Sequence, residues 1–421
     1  MREIGSDRME APADRRGESR VDAVLGRLRR VTTSGRYLPQ VDGIRFVAIA
    51  TVFLFHVTRL VYDDYPANRA VPFGEAEASD LVGRLLREGR FGVMVFFALS
   101  GFILGLPFLA ARVGEGRPVS LRAYFLRRLT RIEPPYLAAL VLVTLLALAT
   151  DAWGPPDGVA GRFALGAWYG HTVVHGVPNL LNPPFWTLEI EVQFYLVMPV
   201  LALLLFGRDL RRRRAAIAIA AVVLTLLQAA LGARLGPGHP LGILPNYLQW
   251  FLIGFLVADL FVVDWGGSPT TARRWDLVSL AGWPLFFLLA ANDDALTYVV
   301  LPWLLLPLFV AVFRGTVTSR ALGNRWVTTI GGMTYSIYLV HAPVIDLLGR
   351  GTSELFPTYT TGTILAQAAL LAPAVLVVGV LFYVAIERPC MDPRWPGELR
   401  RRLSSLIGRR STPATEEAIR A

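Results

Sequence analysis

Lysine is absent from this 421-residue chain, so its formal net charge of +10 rests on arginine alone. Cysteine is nearly absent too. Cys390 stands by itself, which excludes an intrachain disulfide and a cysteine-based metal site. Charged residues of either sign make up 18%, where a soluble chain carries about a quarter. Residues 1–35 lack the short apolar core of a signal peptide. They are expected to form a polar tail, largely disordered.

Hydrophobic residues make up 54% of the chain, and its mean hydropathy is +0.47. Apolar runs of about 20 residues recur, the length that crosses a bilayer as helix. The pattern predicts an all-α polytopic membrane protein with ten spans, over 43–61, 91–110, 134–150, 186–206, 215–233, 243–263, 275–291, 296–313, 327–349 and 362–386. Residues 1–36 then form a cytoplasmic tail, 37–390 the membrane domain and 391–421 a basic cytoplasmic tail. Arginines gather in 112–133, in 207–214 and after the last span, all on one side if there are ten spans. Acidic residues mark the opposite loops: Asp63, Asp64, Glu75, Glu77 and Asp80, then Asp151 and Asp157, then Asp293 and Asp294. That asymmetry puts both termini in the cytoplasm and argues against nucleic acid as the partner of the basic residues. Segment 151–185 is too polar and too rich in glycine to face lipid, and it is expected to be a re-entrant or outer-face element.

Ionisable residues inside apolar runs are the candidates for chemistry. Arg45 and His56 stand 11 residues apart, three helical turns, so they share a face about 16 Å apart along the axis. His56 then lies near mid-membrane, either functional or capped by a nearby carbonyl. Ser100-Gly101 falls within the second span, either a small-residue helix contact or a close approach to a ligand. Arg128 and Arg131 share a helix face before Pro134 and Pro135, where the third span is expected to start. Paired guanidiniums suit a polyphosphate, although topological charge alone also explains them.

The fourth span opens with Trp186, Thr187, Glu189, Glu191, Gln193 and Tyr195; Thr187, Glu191 and Tyr195 share one face. Glu191 is expected within reach of His56 as an orienting carboxylate, and Glu189 at the water interface. His341 lies deep in the ninth span with Tyr338 one turn before it, lining the same cavity or serving structure. His171 and His175 stand four apart, but no glutamate follows His171 as the zincin pattern requires, and no metal is expected. Glu387 reads as part of an inner-surface helix stop.

Together these stretches resemble acyltransferase family 3, the integral-membrane O-acyltransferases of bacteria. The resemblance rests on Arg45-x10-His56, the Gly-Val-x-x-Phe-Phe-x-Leu-Ser-Gly-Phe of 92–102, and Arg128-x-x-Arg131. It continues through Trp186 to Tyr195, Tyr335 to Pro343, and Glu387-Arg388-Pro389. Met94 and Val192 stand where members often carry acidic residues. The resemblance implies ten core spans in the plasma membrane, with no bound cofactor and with an acyl-CoA donor, most simply acetyl-CoA, taken from the cytoplasm. The acceptor it implies is a hydroxyl of a glycan, glycolipid or glycoside on the outer side. On this reading Arg128 and Arg131 hold the CoA phosphates and Arg45 guides the pantetheine arm. His56 is general base or transient acyl carrier, Glu191 orients it, and Ser100, Trp186, Tyr195, Tyr338 and His341 contact substrate. The rival readings are a transporter or flippase without acyl transfer, and a catalytically inert scaffold.

Overall fold

The structure, a computed structural model, describes residues 37–63, 81–150, 158–207, 209–235, 243–292, 295–356 and 360–392, with positions 25, 26, 28–30, 395, 397, 401 and 404 beside them. Among these residues the regular elements are helical, and no strand occurs. The longer helices are α1 (Pro39–Val57), α2 (Gly92–Arg112), α3 (Leu121–Thr150), α4 (Trp186–Phe206) and α5 (Leu210–Leu235). They continue as α6 (Leu248–Asp259), α7 (Arg274–Ala290), α8 (Ala295–Arg314), α9 (Thr334–Thr352) and α10 (Thr361–Phe382).

Among the described residues, 7 stretches are long and apolar enough to cross a membrane: those of α1 to α5, α8 and α10. The other expected spans are helical but fall short of that measure. α6 runs 12 residues before a π-type turn, α7 runs 17, and α9 carries His341, Asp346 and Arg350 among its 19. The expected ninth span also breaks in two, because Arg325–Gly332 ends at Met333 before α9 begins. Segment 158–185 holds only short helices, Val159–Ala167 and His171–His175, and a 3-10 turn at Pro183–Phe185. The acidic loop residues Asp64, Glu75, Glu77, Asp80, Asp151, Asp157, Asp293 and Asp294 lie outside the described residues, as does most of the basic tail.

α6 is the hub. It is apolar on every face, and each residue from Gln249 to Asp259 is buried, as a helix hydrophobic all round requires. Its nearest partner is α2, and the crossing is closed by glycine on both sides. A Cβ on Gly101 would overlap the Phe251 carbonyl, and one on Gly254 would overlap that of Ala98. Small residues at such a point let two backbones touch, the usual means of helix packing where lipid removes the hydrophobic incentive. Gly101 is therefore a packing residue. The outer faces run the other way: Leu277, Leu280, Val377 and Leu381 are all exposed, a surface suited to hydrocarbon.

Prolines inside the helices that carry the site do not end them. α3 passes straight through Pro134 and Pro135, so the third helix begins at Leu121 instead of at the prolines. A proline at position i leaves the carbonyl at i−4 without its helical donor. At Pro134, Pro199 and Pro343 side chains from elsewhere in the chain supply that donor. Trp395 Nε1 donates to Thr130 O (3.0 Å) below Pro134, and the Tyr124 hydroxyl donates to Tyr195 O (3.1 Å) below Pro199. Asn182 Nδ2 donates to Leu339 O (2.9 Å) below Pro343. In a membrane these carbonyls have no water to turn to, so each proline becomes a tertiary link.

The Tyr124 link gives a direct test. Tyr124→Phe leaves a buried acceptor unmet and should cost about 1–3 kcal/mol of stability. Pro199→Ala restores a backbone donor to Tyr195 O, so in that background Tyr124→Phe should become nearly neutral. Thermal unfolding of the four variants in detergent reads the cycle; an equal loss in both backgrounds would show that the link carries no stability.

Candidate active site

A cavity of about 220 Å³ opens among the starts of α1, α3 and α9, the middle of α2 and the first turns of α4. Its walls divide by chemistry. Arg30, Arg45, Arg127, Arg128 and Arg131 all line it, while Phe96, Phe97, Ile103 and Leu188 give it apolar sides. The arginines are held differently. Arg45 donates to the buried Asp42 at 2.6 Å, one helical turn away. Arg128 lies over the ring of Tyr124 at 4.7 Å and that of Tyr195 at 6.0 Å, a guanidinium held by two aromatic faces. Arg131 sits within electrostatic reach of Glu387 and of Arg30.

Farther along, the cavity meets Ser100, Glu191 and Tyr195. Ser100 Oγ donates to Glu191 Oε1 at 2.8 Å, and the Tyr195 hydroxyl bonds to the same carboxyl group. Next to them Tyr338 lines the wall, its ring 6.3 Å from that of Phe96. The Tyr338 hydroxyl donates to Pro184 O at 2.5 Å and meets Thr187 Oγ1 at 2.5 Å. Phe96 and Tyr338 thus form a partition pinned to the start of α4.

His56 adjoins that wall only through His341, whose ring lies 5.5 Å from that of Tyr338. It does not line the cavity, and neither does His341, which is fully buried. The expected pairing of His56 with Glu191 is not made: His56 Nδ1 lies 3.2 Å from His341 Nε2, and their rings meet edge-on at 4.8 Å. Glu191 is instead engaged by Ser100 and Tyr195. The protons of the histidine pair follow from their acceptors. His341 Nδ1 is 2.7 Å from Tyr338 O, and a carbonyl only accepts, so that nitrogen carries hydrogen. His56 Nδ1 is 2.9 Å from Val52 O and carries hydrogen for the same reason. The nitrogen facing it, His341 Nε2, must then be bare. His56 is left with its proton on Nδ1, shared between two acceptors, and with Nε2 as its basic nitrogen. The turn that follows, Thr58–Asp63, is π-type, a local irregularity frequent at functional positions.

Other residues singled out from the sequence lie outside the cavity lining. Trp186 packs edge-on against Phe97 (6.3 Å) and at a tilt against Tyr247 (5.3 Å), and it does not line the cavity. Glu189 is buried instead of facing water: it accepts from Thr172 N at 2.9 Å and from its neighbours' amides, capping the helix His171–His175. His171 and His175 form a ring pair 4.8 Å apart, and no group of three or more metal-ligating side chains occurs among the described residues. Burial and the neighbouring His175 hold His171 below its ordinary pKa.

Three residues of the site were not among those singled out from the sequence. Glu387, read as a helix stop, ends a π-type turn and accepts from Ser336 N (2.9 Å) and Ser336 Oγ (2.5 Å), lining the cavity beside Arg131. Asp42 holds Arg45, and its spacing of three from that arginine was the available signal. Arg30, expected in a disordered tail, stands in the cavity wall; nothing in the sequence separates it from its neighbours.

Comparison with known proteins gives a family match over most of the chain: the model described as acyltransferase domain covers residues 38–384. Acyltransferase MdmB of Streptomyces mycarofaciens is 26% identical over 90% of this chain and 97% of its own. O-acetyltransferase OatA of Staphylococcus aureus is 23% identical over 74% of this chain and 51% of its own. Peptidoglycan O-acetyltransferase OatA of Listeria monocytogenes is 24% identical over 86% and 57%. The chain therefore spans about half the length of these OatA relatives. No solved structure matches it.

The proton arrangement is directly measurable, because the chain has only 5 histidines. Nitrogen-15 spectra of histidine-labelled protein at neutral pH should show His56 and His341 both protonated at Nδ1 and bare at Nε2, with assignment by His56→Gln and His341→Gln. A His56 protonated at Nε2 would contradict the arrangement.

Proposed function

This chain belongs to acyltransferase family 3, and on that premise we propose that it moves an acetyl group from acetyl-CoA in the cytoplasm to a hydroxyl on the far side of the plasma membrane. One observation carries the reading. Arginines, Ser100, Glu191, Phe96 and Tyr338 line one cavity, and a histidine with a bare nitrogen, His56, pairs with His341, whose ring lies 5.5 Å from that of Tyr338. The arginine distribution supports ten core helices with both termini in the cytoplasm, so that the arginine mouth faces the donor.

In this reading Arg128 and Arg131 grip the phosphates of the CoA ester and Arg45 guides the pantetheine arm, each as a charge-assisted donor. The thioester passes Phe96 and Tyr338 to reach His56, where the acceptor arrives from the opposite face. His56 Nε2 takes the hydroxyl proton as the acceptor oxygen attacks the thioester carbonyl. The new C–O bond forms and the C–S bond breaks. The departing thiolate recovers the proton from His56, leaving an acetyl ester and free CoA. A thioester is already activated, so the base is the main thing the protein must add. His341, through its bare Nε2, supports the His56 imidazolium formed in passing, the task first expected of Glu191. Glu191 stays with Ser100 and Tyr195, ordering the end of the donor channel. The relatives named O-acetyltransferase support acetyl as the group moved, and the one named for peptidoglycan supports a cell-surface glycan as acceptor. A glycolipid or glycosylated metabolite has the same hydroxyl chemistry. Comparing acetylated glycans and glycosides in cells with and without the chain identifies which is used.

Two expected outcomes test the reading. His56→Gln keeps a hydrogen-bonding side chain but cannot take a proton, and it should lower acetyl transfer about 10²–10⁴-fold with little change in melting temperature. Near-normal transfer by that variant would make His56 a packing residue. Arg128→Ala with Arg131→Ala should weaken CoA binding by at least one to two decades, since one charge-assisted contact contributes about 1.5–3 kcal/mol. Unchanged affinity in a titration would reduce these arginines to topological charge.

A further inference from the structure

Arg30 lies outside the stretch of the chain matched to the family, in a segment whose sequence reads as tail, yet it forms part of the cavity wall. Its position is built. The Tyr383 hydroxyl donates to Arg29 O at 3.2 Å, the Arg29 guanidinium lies 5.8 Å from the Tyr37 ring, and Arg30 itself packs against Gly332. Arg29 and Arg30 therefore sit between the π-type turn that follows α10 and the Gly332 end of the helix before α9.

The charges it meets there do not balance. Arg30 Nη1 is 3.7 Å from Asp42 Oδ1, but the same oxygen already accepts from Arg45 at 2.6 Å. Arg131 lies within electrostatic reach of Arg30, so three guanidiniums converge on Asp42 and Glu387. Arg30 Nε is buried and has no hydrogen-bond partner among the described residues. A buried donor without an acceptor is rare in a folded protein, and like charges gathered this closely are stabilised by an anion between them. A diphosphate supplies both needs, with two charges and several acceptor oxygens on neighbouring phosphorus atoms.

We propose that Arg30 is a donor-binding residue, and that residues 28–30 edge the mouth of the cavity so that Arg30 joins Arg131 in holding the diphosphate of the CoA ester, beside Arg45 where the pantetheine arm begins. This rests on the acyl-CoA reading above and adds to it a ligand from outside the family domain. The segment becomes part of the active enzyme, and its removal would leave the membrane core intact but loose toward its donor. The diphosphate is assigned because Arg30 meets the same Asp42 oxygen as Arg45 and lies within electrostatic reach of Arg131, while the exposed Arg127 is left for the 3′-phosphate.

The test is titration calorimetry of the full chain in detergent with CoA and with dephospho-CoA, which keeps the diphosphate but lacks the 3′-phosphate. Arg30→Ala should weaken both ligands by the same factor, about ten-fold or more, with melting temperature unchanged. Arg30→Lys should recover part of the loss, and Tyr383→Phe, which frees the segment, should show a smaller loss of the same kind. A loss confined to CoA would overturn the diphosphate assignment. Wild-type affinity in Arg30→Ala, while the Arg128→Ala, Arg131→Ala double variant binds poorly, would overturn the proposal and leave the donor reading standing. Undiminished binding by that double variant too would overturn both.

Discussion

A polar group inside a membrane has no water to fall back on, and the architecture of this chain follows from that one condition. Carbonyls freed by Pro134, Pro199 and Pro343 accept from Trp395, Tyr124 and Asn182. Glu189 caps a short helix, Glu387 takes both hydrogens of Ser336, and Asp42 holds Arg45. These links do more than satisfy hydrogen bonds. They fix α3, α4, α9 and α10 against one another around the cavity, so the groups that stabilise the fold also place the groups that act.

The same condition explains how the site is divided. Guanidiniums, expensive to place in hydrocarbon, stay at the mouth, where polyanionic ligands and water reach them. Beyond them the walls turn apolar, with the Ser100–Glu191 pair as a polar station. His56 and His341 lie outside the cavity lining, where the two imidazoles meet each other and two backbone carbonyls. A neutral histidine pair is the least costly way to keep a base at that depth, because neither ring has to carry charge until a proton is transferred.

Much of this was legible in the sequence, and the parts that were not share a cause. Periodicity and apolar length locate the helices, ionisable residues within apolar runs single out His56 and Glu191, and spacing along one helix face singles out Arg128 and Arg131. Pairing could not be read. His56 and Glu191 are both intramembrane and complementary, so they invite each other, but the partner of each is decided by which faces of α2, α4 and α9 turn inward. Prolines 134 and 135 read as a break because the donor that rescues the helix, Trp395, lies some 260 residues away. Arg30 carried no signal at all, since one arginine in a basic, polar segment looks like the next. Glu387 was seen, but its reach to Ser336 and its proximity to Arg131 belong to tertiary structure alone.

The central claim is that donor enters from the arginine-lined face and chemistry is completed at His56. Consumption of labelled acetyl-CoA by the purified chain, reconstituted in sealed vesicles of defined orientation, tests it most directly. The account predicts consumption only when acetyl-CoA is supplied on the face bearing Arg127, with the label recovered on a glycoside supplied to the opposite face. Equal consumption from either face, or recovery of the label only on the donor's own side, would contradict it.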